Sequence, residues 1–314
     1  MLITSTISLN GCYKKEDMSS INRRINIDFI VKKGGGEYWN SVYLGAHQAA
    51  KEFNVNMTFN APGSEADLKA QEKLFQDALE RKTDAIVLAA SDYRGMKASV
   101  ETAYESKVPV ITVDSGVESD KVVSRISTDN FESGKMAGER LVSSVPENAN
   151  VAIMNFVKGS ESSENREKGV LSVLEKYSDI KLASKQYSYS DEKAAYDLAK
   201  SMLLDNNRID GIVALSAADS LGTAQAIEEL NLSEKVKLIA FDNTPLEIQY
   251  LEKRIIDAIV IQNPFAMGYL GVKYAAMAVR GTKMQSEVNV ESKIVDVNNL
   301  YTEENQKFIF PFTR

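Results

Sequence analysis

The sequence predicts an α/β protein made of two similar doubly wound parallel-sheet domains in tandem. Three observations carry that prediction. Mostly apolar runs start near residues 25, 55, 84 and 108, and again near 149, 180, 210 and 236. Such runs suit strands covered on both faces of a parallel sheet. The spacings are 30, 29 and 24 in the first set and 31, 30 and 26 in the second. That is the length of a strand–helix unit. The local sequences repeat as well. TDAIVLAASD (83–92) pairs with IDGIVALSAAD (209–219), and VPVITVDSG (108–116) with VKLIAFDNT (236–244).

The elements follow in order. INIDFIV (25–31) is the first strand. KKGGGEYW (32–39) turns the chain on three glycines, and Tyr38 and Trp39 open a helix over 38–53. The turn is neither G-x-G-x-x-G nor a Walker pattern, so it makes no nucleotide-phosphate loop. VNMTFN (55–60) is the second strand. A helix over 64–80 starts with Ser64 and Asp67 three apart, like a capping box, and carries Leu68, Leu74, Phe75, Ala78 and Leu79 on one face. Strands 84–90 and 108–113 complete the first half. The second half repeats with strands starting at 149, 180, 210 and 236, then a strand over 257–261. The last helix, 264–280, opens with Pro264 and stops before Gly281. Right-handed crossovers give each half its doubly wound sheet.

Composition narrows the function. A chain of 314 residues suggests about two domains. Acids outnumber bases 44 to 37, which argues against a phosphate-tracking nucleic-acid binder. One His and one Cys cannot supply the usual zinc sets or a disulfide within the chain. His47 lies two turns past Trp39, at a surface or partly packed position of the helix. No nucleophile–base set and no cofactor fingerprint is present, so neither a catalytic residue nor a bound cofactor or metal is expected. No run of about 20 apolar residues occurs. Residues 1–24 read as a leader and tether. Leu9, Asn10, Gly11 and Cys12 resemble the lipobox of a bacterial lipoprotein signal, in which the Cys is lipidated. The alternative is a leader with an incidental Cys.

Ligands of open α/β sheets bind outside the carboxyl ends of the strands. After the first strand come Tyr38 and Trp39, aromatic faces on which a sugar ring can stack; packing into the core is the alternative. After strand 84–90 come Ser91 and Asp92, ligand contacts or helix caps. After 108–113 come Asp114 and Ser115, and after 236–241 comes Asp242. An acid thus ends the same strand in both halves. A carboxylate accepts from two neighbouring hydroxyls of a polyol; capping is again the alternative. Gln262 and Asn263 follow 257–261, and Gln262 offers both donors and an acceptor. Arg166, in 158–170, is either a ligand fork or a solvated helix charge.

These residues, with STDNFESGKMAGE (127–139), AFDNTP (240–245) and IVIQNPFAMG (259–268), resemble the type I periplasmic sugar-binding proteins over about residues 25–296. The family's ribose-, galactose- and xylose-binding cluster is the part it is similar to. The resemblance implies ring stacking by Tyr38, Trp39 and Phe241, carboxylates at Asp114 and Asp242, and an amide at Gln262. It also implies a ligand contact at Ser216 and a hinge at Asp129, Asn130 and Asn263. Three crossovers would make one lobe of 25–128 plus 264–290 and another of 129–263 plus 291–314. Three departures from the family pattern matter. Gly36 replaces an Asn, Ala89-Ala90-Ser91 replaces a ligand Asn, and Ser216-Ala217 replaces Asn-Asp. The family's Arg aligns with Glu164 or Arg166. These departures point away from ribose to another pentose, xylose first. The implied function is extracytoplasmic capture of a monosaccharide. Closure then presents it to the permease of an ABC importer or to the extracytoplasmic domain of a sensor histidine kinase. The membrane is touched only through a lipid anchor. Two other classes share features with the chain. One is the core of a lactose-repressor-like regulator, although only 24 residues precede Ile25; the other is an α/β enzyme.

Overall fold

The computed structural model describes residues 23–205 and 208–309. The strands are β1 (Ile25–Ile30), β2 (Val55–Asn60), β3 (Ala85–Leu88), β4 (Val110–Val113), β5 (Ser124–Ser127), β6 (Asn150–Asn155), β7 (Lys181–Tyr187), β8 (Gly211–Ala214), β9 (Lys237–Phe241), β10 (Ala258–Ile261), β11 (Glu287–Asn289) and β12 (Lys293–Val295). The helices are α1 (Glu37–Glu52), α2 (Leu68–Glu80), α3 (Lys97–Glu105), α4 (Asn130–Ser144), α5 (Glu161–Leu174), α6 (Glu192–Leu204), α7 (Ala217–Glu229), α8 (Pro245–Glu252), α9 (Pro264–Val279) and α10 (Glu303–Ile309).

They form two six-stranded sheets, ordered β11-β5-β4-β3-β1-β2 and β12-β10-β9-β8-β6-β7. Adding five to each strand number of β1–β5 turns the first order into the second, so the sequence repeat is a repeat of topology. Every pairing is parallel except β10 with β12. The central strands β3, β4, β8 and β10 are buried at every residue, as strands covered on both faces must be.

The chain passes between the sheets three times: after β5, between β10 and α9, and between β11 and β12. Helix α9 packs on α1 and on the first sheet, and α4 packs on α5 and on the second. Both helix pairs approach through glycine. A Cβ on Gly268 would lie 1.9 Å from the Val42 carbonyl, and one on Gly134 would lie 2.0 Å from that of Arg166.

Three strands had no counterpart in the sequence pattern. β5 alternates buried and half-buried positions, while β11 and β12 have three residues each. Neither makes the continuous apolar run that marks a central strand. The second helix also starts later than expected, at Leu68. Asp67, not Ser64, is its cap, accepting from the Ala70 N–H at 3.0 Å.

Candidate functional site

The carboxyl ends of the two sheets face one another across a cavity of about 500 Å³, within the range of small-molecule sites. Lys32, Tyr38, Trp39, Glu65 and Asp114 line it from the first lobe, and Phe156, Arg166, Ser216, Asp242 and Gln262 from the second.

Asp114 and Asp242 reach the cavity by the same backbone device. The Asp114 N–H donates to the Ile126 carbonyl and that of Asp242 to the Val260 carbonyl, each at 3.0 Å. Each strand is thereby extended one rung. Both residues then turn left-handed, at φ 62° and 82°, a conformation that costs a non-glycine residue about 1–2 kcal/mol. Neither caps a helix; Thr244 caps α8. The strained turn aims both carboxylates inward, and both residues are about 5% exposed.

Their electrostatics differ. Asp114 accepts from Tyr38 Oη at 2.6 Å and pairs with Lys32 Nζ at 2.7 Å. Burial pushes its pKa up, but the Lys32 ammonium and the hydrogen bonds from Lys32 and Tyr38 outweigh burial and hold it below the ordinary value. Asp242 accepts from Gln262 Nε2 at 2.7 Å and from the Ala217 N–H at 2.8 Å. Burial dominates there and raises it, against the pull of Arg166. Asp114 Oδ1 and the two Asp242 oxygens each keep a second lone pair, so both groups can still accept from hydroxyls.

Arg166 is 3% exposed and faces the cavity, whereas Glu164 is exposed and paired with Lys168. The guanidinium donates to Asn130 Oδ1 at 2.8 Å and to the Leu215 carbonyl at 2.7 Å. It also lies 4.6 Å from the Phe241 ring centroid. This corrects the expected role of Phe241. Its ring is fully buried beneath Arg166 and is not part of the cavity wall; Phe156 is the second lobe's aromatic at the wall. Trp39 does two things at once. It belongs to the first-lobe core at 7% exposure, and its indole still borders the cavity, edge-on to Tyr38.

Other expected contacts lie elsewhere. Asp92 accepts from the Arg94 and Gly95 N–H groups, closing a turn, and is not in the wall. Ser91 is buried behind it, and its N–H donates to Gln71 Oε1 at 2.8 Å. The Gln71 amide also donates to the Val31 and Ala89 carbonyls, tying the ends of β1 and β3 together. Ser115 sits behind Asp114 and accepts from Lys32 Nζ at 2.6 Å. Ser216 caps α7 and does border the cavity. His47 stacks on Tyr43, away from the cavity.

At the crossovers, Asp129 caps α4 and Asn263 caps α9. Asn130 accepts from Arg166, so this crossover touches the site directly. Cys12 and most of the 1–24 leader lie outside the described residues.

Sequence reasoning missed Lys32, Glu65, Phe156 and Ser190. Lys32 is 2% exposed, and its ammonium reaches Ser160 and Ser162 of the second lobe at 3.1 Å. Its signal was its place, directly after β1. The lobes also meet where Glu161 accepts from Arg125 at 2.5 Å and from the Gly116 N–H at 2.6 Å.

Behind Ser216, fully buried Asp219 accepts from Ser188 Oγ at 2.5 Å and Ser216 Oγ at 2.8 Å. Burial outweighs these bonds and raises its pKa to about 7. The proton is bound more tightly folded than unfolded. The group's stabilising contribution is therefore full below its unfolded value of about 4 and is lost as the pH rises through about 7. Asp219→Asn should lose less stability than the wild type across that interval in urea titrations at stepped pH. Parallel curves for the two proteins would exclude the linkage.

A model of the periplasmic binding protein domain matches residues 27–283. Among curated proteins, the chain is 24% identical to the ribose import binding protein RbsB of Haemophilus influenzae, over 88% of this chain and 93% of that one. It is 26% identical to the D-allose-binding periplasmic protein of Escherichia coli, over 85% and 89%. Among solved structures, a carbohydrate transporter solute-binding protein from Agrobacterium radiobacter, in complex with D-arabinose, superposes with a TM-score of 0.88. That pair is 28% identical and covers 91% of this chain and 99% of the other. A XylFII–LytSN complex superposes with a TM-score of 0.83 at 25% identity, covering 88% and 99%.

Proposed function

The chain belongs to the periplasmic binding protein family, and from that premise we propose that its cleft closes on one neutral monosaccharide, a pentose with xylose as the first candidate. It is an extracytoplasmic sugar-binding protein of the kind that serves ABC transporters, not an enzyme. The observation that carries the proposal is the pair of carboxylates, Asp114 and Asp242, aimed inward from equivalent strained turns of the two lobes. Two acids facing each other bind neighbouring hydroxyls on opposite edges of a ring, and Trp39 and Phe156 offer it apolar faces. Lys32 and Arg166 offset the charges of Asp114 and Asp242, and both oxygens of Glu65 already accept from Trp39 and Ser190, which suits an uncharged ligand. A relative solved with D-arabinose supports a pentose by similarity.

Closure moves the lobes 25–128 plus 264–290 and 129–263 plus 291–314 about Asp129, Asn130 and Asn263. The closed form is then read by the permease of an ABC importer. Similarity to XylFII in its complex with LytSN favours a second reading, in which the partner is the extracytoplasmic domain of a sensor histidine kinase. Cys12 serves as a lipid anchor, with the residues up to 24 as its tether.

Trp39 is the sole Trp, so intrinsic fluorescence reports the cleft. A titration panel of pentoses and hexoses should give a saturable change with a pentose and a weaker one or none with hexoses. A hexose that binds more tightly than every pentose would overturn the pentose assignment. A panel that leaves the emission and the calorimetric heat unchanged throughout would overturn the site.

A further inference from the structure

Glu65 lies in the first lobe, in the segment between β2 and α2, and is 7% exposed. Its two carboxylate oxygens are used by different lobes. Oε1 accepts from the Trp39 indole N–H at 3.3 Å, within the first lobe. Oε2 accepts from Ser190 Oγ at 2.8 Å, across the cleft. Ser190 is held from the first lobe a second time, because its carbonyl accepts from Lys33 Nζ at 2.9 Å. It is also one of two consecutive non-glycine residues in the left-handed region, Tyr189 and Ser190, both at φ 57°. Within its own lobe its N–H donates to Ser188 Oγ at 3.2 Å, and Ser188 in turn donates to Asp219, which accepts from Ser216 on the far wall. A continuous chain of hydrogen bonds therefore runs from the indole of Trp39, through Glu65, to the cap of α7.

We propose that Glu65 is a positioning residue that couples the orientation of the Trp39 ring to closure of the lobes. The coupling rests on the sugar-binding reading of the cleft. A buried carboxylate needs its oxygens satisfied. The indole bond joins two residues of one lobe and survives opening. The Ser190 bond exists only when the lobes meet. Closing thus completes the shell of Glu65 and fixes the carboxylate that holds the indole against the ligand. Opening returns one oxygen to water and loosens the ring. Such a contact acts after encounter, so it slows release and leaves capture unchanged.

The test is stopped-flow Trp39 fluorescence with the tightest-binding pentose of the panel, on the wild type, Glu65→Gln, Ser190→Ala and the double variant. Gln keeps one acceptor oxygen for the indole N–H but turns an amide NH2 toward Ser190 Oγ, so the bond to a charged carboxylate is lost. Each single variant should release sugar about tenfold faster, with an unchanged association rate, and Ser190→Ala should keep the wild-type melting temperature of the sugar-free protein. The double variant should be no faster than Glu65→Gln alone. In the sugar-free protein, Glu65→Gln should shift the Trp39 emission while Ser190→Ala leaves it as in the wild type. Should Glu65→Gln fold poorly, the Ser190→Ala release rate decides. Release rates equal to the wild type, or single effects that multiply in the double variant, would overturn the coupling alone. A wild type that binds no sugar of the panel would overturn the cleft reading and the coupling with it.

Discussion

Asp242→Ala is expected to weaken sugar binding by about 2–4 kcal/mol, roughly 30- to 1,000-fold in Kd. The carboxylate is 5% exposed and held by Gln262 and the Ala217 N–H. Its loss removes the acceptor for the ligand and leaves the buried Gln262 amide and the half-buried Ala217 N–H without their partner. It also removes the anion that Arg166 faces. The turn at φ 82° is not relieved, because Ala tolerates the left-handed region no better than Asp, which is among the non-glycine residues enriched there. Asp242→Asn retains an acceptor oxygen and should lose less. Calorimetry on the tightest-binding pentose separates the two variants, and an affinity unchanged in Asp242→Ala would remove this residue from the site.

Arg166→Met should act on binding and stability together. The side chain is 3% exposed, and no solvent can replace it for the groups it serves. Asn130 Oδ1 and the Leu215 carbonyl lose their donor, and Phe241 loses the cation stacked on its ring. Asp114 and Asp242 both lose a neighbouring cation that lowers their pKa. Breaking such a buried network costs about 3–5 kcal/mol. A clearly lower melting temperature is expected, with sugar binding weakened at least tenfold at temperatures where the variant is folded. Arg166→Lys should not restore either property, since an ammonium cannot fork to Asn130 and Leu215 at once. A variant that melts and binds like the wild type would reduce Arg166 to a bystander.

The fold was legible because the strands that organise it are buried on both faces. β3, β4, β8 and β10 read as unbroken apolar runs, and their spacing repeats in the two halves. β11 and β12 owe their place to neighbouring strands rather than to their own three residues. Within the site, Asp114 and Asp242 were legible as acids ending equivalent strands. Phe241 is the last residue of β9, and its ring lies buried beneath Arg166; the left-handed turn that aims Asp242 at the cavity comes only after it. Asp92 was equally open to both roles in the sequence, and two backbone N–H groups of its own turn claim its carboxylate. Glu65 and Ser190 stand 125 positions apart and meet only when the lobes do, so no local pattern announces them.

A crystal structure of the protein grown with its tightest-binding pentose would test the central claim most directly. Asp114 and Asp242 should each accept from hydroxyls of one sugar ring, with Arg166 and Gln262 beside it and the face of Trp39 against it. A sugar bound outside this cleft, or inside it with both carboxylates contacting only water and protein, would contradict that claim.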